Sequence, residues 1–234
     1  HRILMTRLPI VAIDGPAGAG KSTVTRLVAR ELGLVYLDTG AMYRGVAYFT
    51  VINGLYTNDS IHEEALIKRL DEVHLMFGDP IVGNDRPLLL NGVNINDPIR
   101  SSEISALVSL VAVIPEVRTK LVDLQRQMGT QGGIVMDGRD IGTVVFPQAE
   151  LKVFVQADAQ VRAKRRFDEL QAKGQIVDFQ EILANVNDRD HQDTHRAVSP
   201  LVQAEDARVL DNTQMGRAEQ LTLLINWADQ AINP

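Results

Sequence analysis

The chain has no cysteine, which excludes disulfides and thiolate zinc sites. It also lacks a long apolar run. The longest strongly apolar stretch, Ala106 to Ile114, is interrupted by Ser109, whereas a membrane span needs about 20 apolar residues. A basic excess is missing too. Acidic residues number 30 against 24 basic ones, a net charge of −6, so composition gives no sign of a nucleic-acid binder. An anionic ligand stays open, because binding depends on local charge. The start, HRILMTRLPIV, lacks the apolar region and small-residue cleavage site of a signal peptide.

What remains is ordinary globular material: 234 residues, 45% hydrophobic and 23% charged. That length fits one or two domains and buries a core without staples. Leu8 to Ile13 reads as a buried strand. After it, Val24, Leu27, Val28 and Leu32 fall at helical spacing, with Gly33 as the C-terminal cap. Leu34 to Leu37 is a second strand, and Ala41 to Ile52 a second helix. Further strands are expected at 134–136, 151–155 and 208–210. Helices are expected at 61–70, 102–113, 116–128, 159–172, 179–192 and 217–231. Strands separated by helices imply a parallel sheet covered on both faces. Residues 73–98 break the rhythm with three short apolar runs separated by Gly78-Asp-Pro80, Gly83-Asn-Asp85 and Asn91-Gly92. That pattern predicts a small antiparallel insert.

Gly15, Pro16, Ala17, Gly18, Ala19, Gly20, Lys21 and Ser22 match G-x-x-x-x-G-K-[ST], after a strand and before a helix. Glycines let backbone N–H groups curl around phosphate oxygens, and the helix N-terminus adds unpaired donors. Lys21 is suited to β/γ-phosphates and the Ser22 hydroxyl to Mg²⁺. The pattern points to a nucleoside triphosphate, not to a particular reaction. The N-K-x-D base-reading motif of GTPases is absent; Asn187-Asp188 is followed by Arg189-Asp190.

Three further segments suit an anionic acceptor. In Leu37-Asp-Thr-Gly-Ala-Met-Tyr-Arg44, Thr39 is expected to cap the next helix, with Arg44 about a turn on. In Met136-Asp-Gly-Arg-Asp140, two carboxylates and Arg139 follow a buried strand, where α/β enzymes place ligand-binding residues. Asp137 stands where Walker-B carboxylates stand. In the third, Arg162, Arg165 and Arg166 share one helical face, and Arg189, Asp193 and Arg196 another. Taken alone, these segments also fit a capped helix with a surface arginine and salt-bridged surface helices.

Together GPAGAGKST, LDTGAMYR, DGRDIGTVVFP and RDHQDTHRAVSPL resemble bacterial cytidylate kinases, over about residues 8–232. The resemblance implies a P-loop nucleoside monophosphate kinase fold: a five-stranded parallel sheet, helices, an antiparallel insert and a helical lid. It implies one domain, 8–234, with a core (8–40, 130–157, 197–234), an acceptor region (41–129) and a lid (158–196). The implied reaction is phosphoryl transfer from ATP to CMP or dCMP, with Mg²⁺. Residues from Gly15 to Thr23 would hold the ATP phosphates. Thr39, Arg44 and Arg139 would line the acceptor phosphate. Ser109, Arg118, Asp140 and Arg196 would read cytosine, and Arg189 and Asp193 the sugar. Ser109 and Arg118 rest on the match of SLVAVIPEVR; read alone, Ser109 is a serine in an apolar helix. Lys21, Arg139, Arg162 and Arg166 would surround the transferring group. Thr39 replaces a serine of some relatives, and Gln192 stands where relatives can carry another arginine. A cytoplasmic monomer is expected, with no nucleic-acid or membrane partner. HRILM also resembles the tail of a preceding domain, as in cyanobacterial kinases fused behind a pantoate–β-alanine ligase, with an initiator at Met5 and a vector remnant as the competing readings. Kinases of UMP, AMP or shikimate, and a nucleotide-dependent switch, remain the competing readings.

Overall fold

A computed structural model describes residues 8–81 and 85–232. The HRILM start and the Gly83-Asn84 turn lie outside the described residues. The five expected strands are β1 (Ile10–Asp14), β2 (Val35–Asp38), β8 (Ile134–Gly138), β9 (Leu151–Gln156) and β10 (Arg208–Asp211). They form one parallel sheet in the order β10-β9-β1-β8-β2. β1 and β8 are buried on both faces, which explains why they read as unbroken apolar runs rather than alternating ones.

Two apolar layers cover the sheet. On one, Val11, Ile13, Val135, Val153 and Leu210 pack with Val24 and Val28 of α1 (Lys21–Leu32) and Leu224 and Ala228 of α8 (Arg217–Ile232). On the other, Ile10, Ala12, Leu37 and Met136 meet Val122 of α5 (Pro115–Met128). Gly33 ends α1 in the left-handed region at φ 67°, its N–H reaching back to Ala29 and Arg30 carbonyls, as its cap role predicts.

A third apolar cluster joins α2 (Thr39–Ile52), α4 (Ser102–Ala112) and α5 to the insert. The insert is antiparallel: β5 (Leu75–Phe77), β6 (Leu88–Leu90) and β7 (Val93–Asn94). A smaller hairpin, β3 (Tyr56–Thr57) with β4 (Ser60–Ile61), was not expected. Its turn residues Asn58 and Asp59 both have positive φ, the geometry of tight hairpin turns. The helix expected over 61–70 is shorter, α3 (Glu63–Lys68), followed by a 3₁₀ turn at Leu70–Glu72. A π-helical turn, Ile141–Val145, follows β8.

α6 (Ala159–Ala172) and α7 (Phe179–His195) are built differently. α6 buries only Arg162 and Ala163, and α7 buries no residue. Phe167 and Phe179 meet edge to face at 6.0 Å between the helices. With so little apolar burial, this pair should open far below the global unfolding free energy. Amide exchange read by mass spectrometry is expected to be faster in α7 than in β1 and β8. Equal protection in α7 and the central strands would overturn this reading.

Candidate functional site

Because all five strands run parallel, their carboxyl ends share one edge. β1 delivers the loop of residues 15–20 there. Gly15 has φ 151°, and a Cβ on it would lie 2.1 Å from the Val155 carbonyl oxygen of β9, so only glycine fits. Gly18 and Gly20 are left-handed. Gly20 is the N-cap of α1 and offers no side-chain acceptor, which leaves the first N–H groups of the helix for a ligand. Lys21 is buried and folds back, its Nζ donating to Gly15 O at 2.8 Å and Pro16 O at 2.7 Å. Burial and the Arg139 guanidinium pull its pKa down to about 7 against Asp137, Asp14 and Asp193. Thr23 is exposed on the first turn of α1.

β8 supplies the next layer. Ser22 Oγ donates to Asp137 Oδ2 at 2.6 Å, and Tyr36 OH to Asp137 Oδ1 at 3.0 Å. Burial raises the Asp137 pKa, as does Asp38 beside it in the sheet register. Thr39 Oγ1 donates to Asp137 O at 2.7 Å. Thr39 is therefore not the cap of α2. Asp38 is, accepting from Ala41 N at 2.9 Å, because it ends β2 in extended geometry and carries the acceptor oxygens a cap needs. No group of three or more His, Cys, Asp or Glu among the described residues could hold a metal alone. A hydroxyl beside a carboxylate is nonetheless the protein's usual share of a Mg²⁺ site, where phosphate and water supply the rest. Ser22 and Asp137 fit that role.

Arginines gather beyond Asp137. Arg44 donates to Asp38 Oδ2 at 2.9 Å. Arg139 Nε donates to Asp193 Oδ2 at 2.7 Å. Burial alone would raise Asp193, but Arg139, Arg196 and Arg189 hold its pKa below the usual carboxylate range. Arg118 is 2% exposed, pairs with Asp140, and donates to Ala112 O at 3.1 Å. Its guanidinium lies 5.3 Å from the Tyr43 ring centroid. Arg196 donates to Ser199 O at 2.7 Å. Buried donors are left over here: Tyr43 OH, Arg118 Nε, Arg196 Nη2 and Arg44 Nε have no partner among the described residues. Burial, opposed by Arg118, pushes the Tyr43 hydroxyl to about 12, so it is a neutral donor. Arg189 forms no ion pair among the described residues. Burial and the neighbouring Arg139 lower its pKa. Ser109 is half-buried on α4.

The α6 arginines divide. Arg162 Nη1 donates to Ala17 O of the phosphate loop at 3.0 Å, and the guanidinium grips Asp190 of α7 with both terminal nitrogens. Arg165 holds Asn212 through its side chain and carbonyl. Arg166 pairs with Glu169 at 2.9 Å on the exposed side. Residues the sequence did not single out also serve the site. Asn212 Nδ2 donates to Ala19 O at 2.7 Å, tying β10 to the loop. Asp190, Asp14 and Tyr43 likewise carry no local pattern that marks them. A groove is lined by Gln156, Ala157, Asp158, Asp211, Thr213, Gln214 and Met215.

The family model for cytidylate kinase matches residues 11–230. The chain belongs to the cytidylate kinase family. The cytidylate kinase of Bacteroides fragilis is 48% identical over 223 residues, 95% of this chain and 97% of that protein. The cytidylate kinase of Flavobacterium johnsoniae is 49% identical over 222 residues, 95% of this chain and 96% of its own. The bifunctional pantoate ligase/cytidylate kinase of a Synechococcus strain is 51% identical over 208 residues, 88% of this chain and 40% of that longer protein. An uncharacterized protein from Eubacterium ventriosum shares the fold, with a TM-score of 0.52, 11% identity, and coverage of 96% and 99% of the two chains.

Within this cytidylate kinase site, Lys21 sits near its midpoint of protonation at neutral pH. Anionic phosphates favour its charged form and raise its pKa. ATP binding at pH 7.5 is thus expected to take up a proton. Calorimetry in buffers of different ionisation enthalpy reads this as a binding enthalpy that varies with the buffer. Lys21→Met should remove the variation. A buffer-independent enthalpy in the parent would contradict the depressed pKa.

Proposed function

We propose that this chain transfers the γ-phosphoryl group of ATP to CMP or dCMP, giving ADP and CDP or dCDP. The observation that carries the reading is the edge itself. A phosphate loop with open helix N–H donors stands beside a group of buried arginines and Tyr43 that have donors to spare. Asp140 and Arg118 match cytosine: a carboxylate accepts from the exocyclic amine, and a guanidinium donates to the ring acceptors. Uracil reverses the donor at that edge, so its rejection leaves buried polar groups unpaired and is strong.

In this reading, residues from Gly15 to Thr23 hold the ATP phosphates. Thr39, Arg44 and Arg139 hold the acceptor phosphate. Ser109 and Arg196 complete the base pocket, and Arg189 and Asp193 touch the sugar. An acceptor phosphate oxygen attacks the γ-phosphorus while the bond to the β–γ bridging oxygen breaks, and ADP leaves with that electron pair. The nucleophile is already anionic near neutral pH, so no general base is needed. Catalysis is positioning and charge neutralisation. Lys21, Arg139, Arg162 and Arg166 supply the cations, and Ser22 with Asp137 would hold Mg²⁺. When bound, the metal neutralises charge on the β- and γ-phosphates. Residues 158–196 act as the lid over the core and the acceptor region (41–129), which keeps water from the phosphoryl group. The sparse apolar burial of α6 and α7 supports that mobility. The reading carries a monomer in the cytoplasm, with neither nucleic acid nor membrane as partner. Among the described residues no helix is long and apolar enough to cross a membrane.

A panel of CMP, dCMP, UMP, AMP and shikimate with ATP tests the proposal. CMP or dCMP should give the highest kcat/KM for ADP production, and Lys21→Ala should remove most turnover. Preference for another acceptor, or a Lys21→Ala variant within about threefold of the parent, would contradict it, since the lysine reaches the β/γ-phosphates.

Asp193→Ala and Arg189→Ala should change the CMP-to-dCMP ratio more than ATP affinity. Equal losses for both acceptors with weakened ATP binding would remove these residues from the sugar site.

A further inference from the structure

Asp14 is the last residue of β1, directly before Gly15 of the phosphate loop. It is buried, and none of the roles above uses it. Its Oδ1 accepts from Ile141 N at 2.8 Å and its Oδ2 from Gly142 N at 2.7 Å. Those two amides open the π-helical turn Ile141–Val145, whose N-cap is Asp140.

An aspartate at an N-cap normally accepts from its own helix. The three aspartates at α-helix N-caps here do so. Asp38 takes Ala41 N, Asp158 takes Gln160 N and Val161 N, and Asp178 takes Gln180 N and Glu181 N. Asp140 makes no such bond. Its carboxylate instead meets Arg118. An N-cap carboxylate takes the second or third amide of its helix, and the second one here, Gly142 N, is taken by a carboxylate from another strand. Burial raises Asp14 to about 6 while the two N–H bonds pull it back, so at neutral pH both its oxygens are acceptors. The fit is close, since a Cβ on Gly142 would lie 3.4 Å from Asp14 Oδ2 and 3.2 Å from Lys152 Cδ.

We propose that Asp14 is a positioning residue for acceptor choice. It caps the turn after β8 in place of Asp140 and so leaves the Asp140 carboxylate free for Arg118 and the base. This rests on the reading of Asp140 as a base-reading group. It also gives the residue that ends the strand beneath the ATP loop a direct hold on the acceptor pocket. Without both acceptor oxygens of Asp14, the Asp140 side chain is drawn to its own turn and Arg118 loses its partner.

The test is a double-mutant comparison of Asp14→Asn, Asp140→Ala and the pair. Asp14→Asn should lower the CMP-over-UMP ratio of kcat/KM by about tenfold, a loss typical of a disturbed hydrogen-bonding pocket. It should raise the KM for CMP, with any loss of calorimetric ATP affinity through the Asp14 charge near Lys21 smaller than the loss in the ratio. In the Asp140→Ala background, Asp14→Asn should shift the ratio no further. If Asp140→Ala leaves the ratio unchanged, the base reading has failed and the inference falls with it. If Asp140→Ala shifts the ratio and Asp14→Asn does not, only the inference is overturned. Parallel losses for CMP and UMP together with weaker ATP binding would make Asp14 structural and overturn it too. Should Asp14→Asn not fold, Asp14→Glu keeps the charge and both oxygens on a longer arm, and the same ratio decides.

Discussion

β8 lies between β1 and β2, and the rest of the site depends on that placement. The register sets Asp137 beside Ile13 on one side and Asp38 on the other. One carboxylate thereby reaches Ser22 of α1 and Tyr36 of β2, while its backbone oxygen takes Thr39 of α2. Three consecutive elements are locked to one residue that lies 98 to 115 positions further along. The geometry has a cost. Asp38 and Asp137 are like charges in adjacent strands, and Asp137 is buried, so its ionised form is disfavoured. The Ser22 and Tyr36 hydroxyls and the Lys21 ammonium offset that cost. A site that receives a triphosphate with a cation, as proposed, would tolerate such a carboxylate, because its charge partner would arrive with the ligand.

The same logic runs through the acceptor half. Burying guanidinium groups is expensive unless they are paired. Arg118 is paired with Asp140, Arg139 with Asp193 and Arg44 with Asp38. Each pair still leaves donors over, and Arg189 and Arg196 are pulled below their usual pKa by burial near other arginines. Cation outweighs anion in this pocket although the whole chain carries a net charge of −6. Local excess, not net charge, explains how an acidic protein attracts anionic nucleotides.

Much of this was legible in the sequence for a physical reason. The five strands stand out as short apolar runs, most helices have strong periodicity, and the phosphate loop needs its glycines at fixed places. Gly15 shows why, since any side chain there would strike the Val155 carbonyl. Local pattern failed where a residue serves a distant partner. Thr39 looked like a cap because it precedes a helix, yet its hydroxyl goes to Asp137 O and Asp38 takes the cap. Asn212 and Asp14 have no local signature, because their bonds span 193 and about 127 residues. The β3–β4 hairpin escaped notice because two-residue strands carry no period, although Asn58-Asp59 was a turn signal. Spacing placed the arginines of α6 on one face, but Arg162 is buried and Arg166 exposed. Spacing could not say that Arg162 would turn to the loop while Arg166 paired outward with Glu169.

In the proposed reading, Arg162 would link the chemistry to the motion of α6 and α7. Its Nε is fixed to Ala157 O at 2.9 Å, just before α6 begins, and its terminal nitrogens reach Ala17 O and Asp190. One rigid fork thus joins the strand end, the phosphate loop and α7. α7 contributes no buried residue of its own, and this ion pair and the Phe167–Phe179 edge contact join it to α6. A helix pair held by polar contacts can shift without tearing an apolar core, which is the property a closing element needs. The cation at its pivot is 4% exposed and already sits on the phosphate loop. In the proposed reading, anionic oxygens entering the loop would compete with Asp190 for the same guanidinium, and nucleotide binding would bear on the contact between α6 and α7.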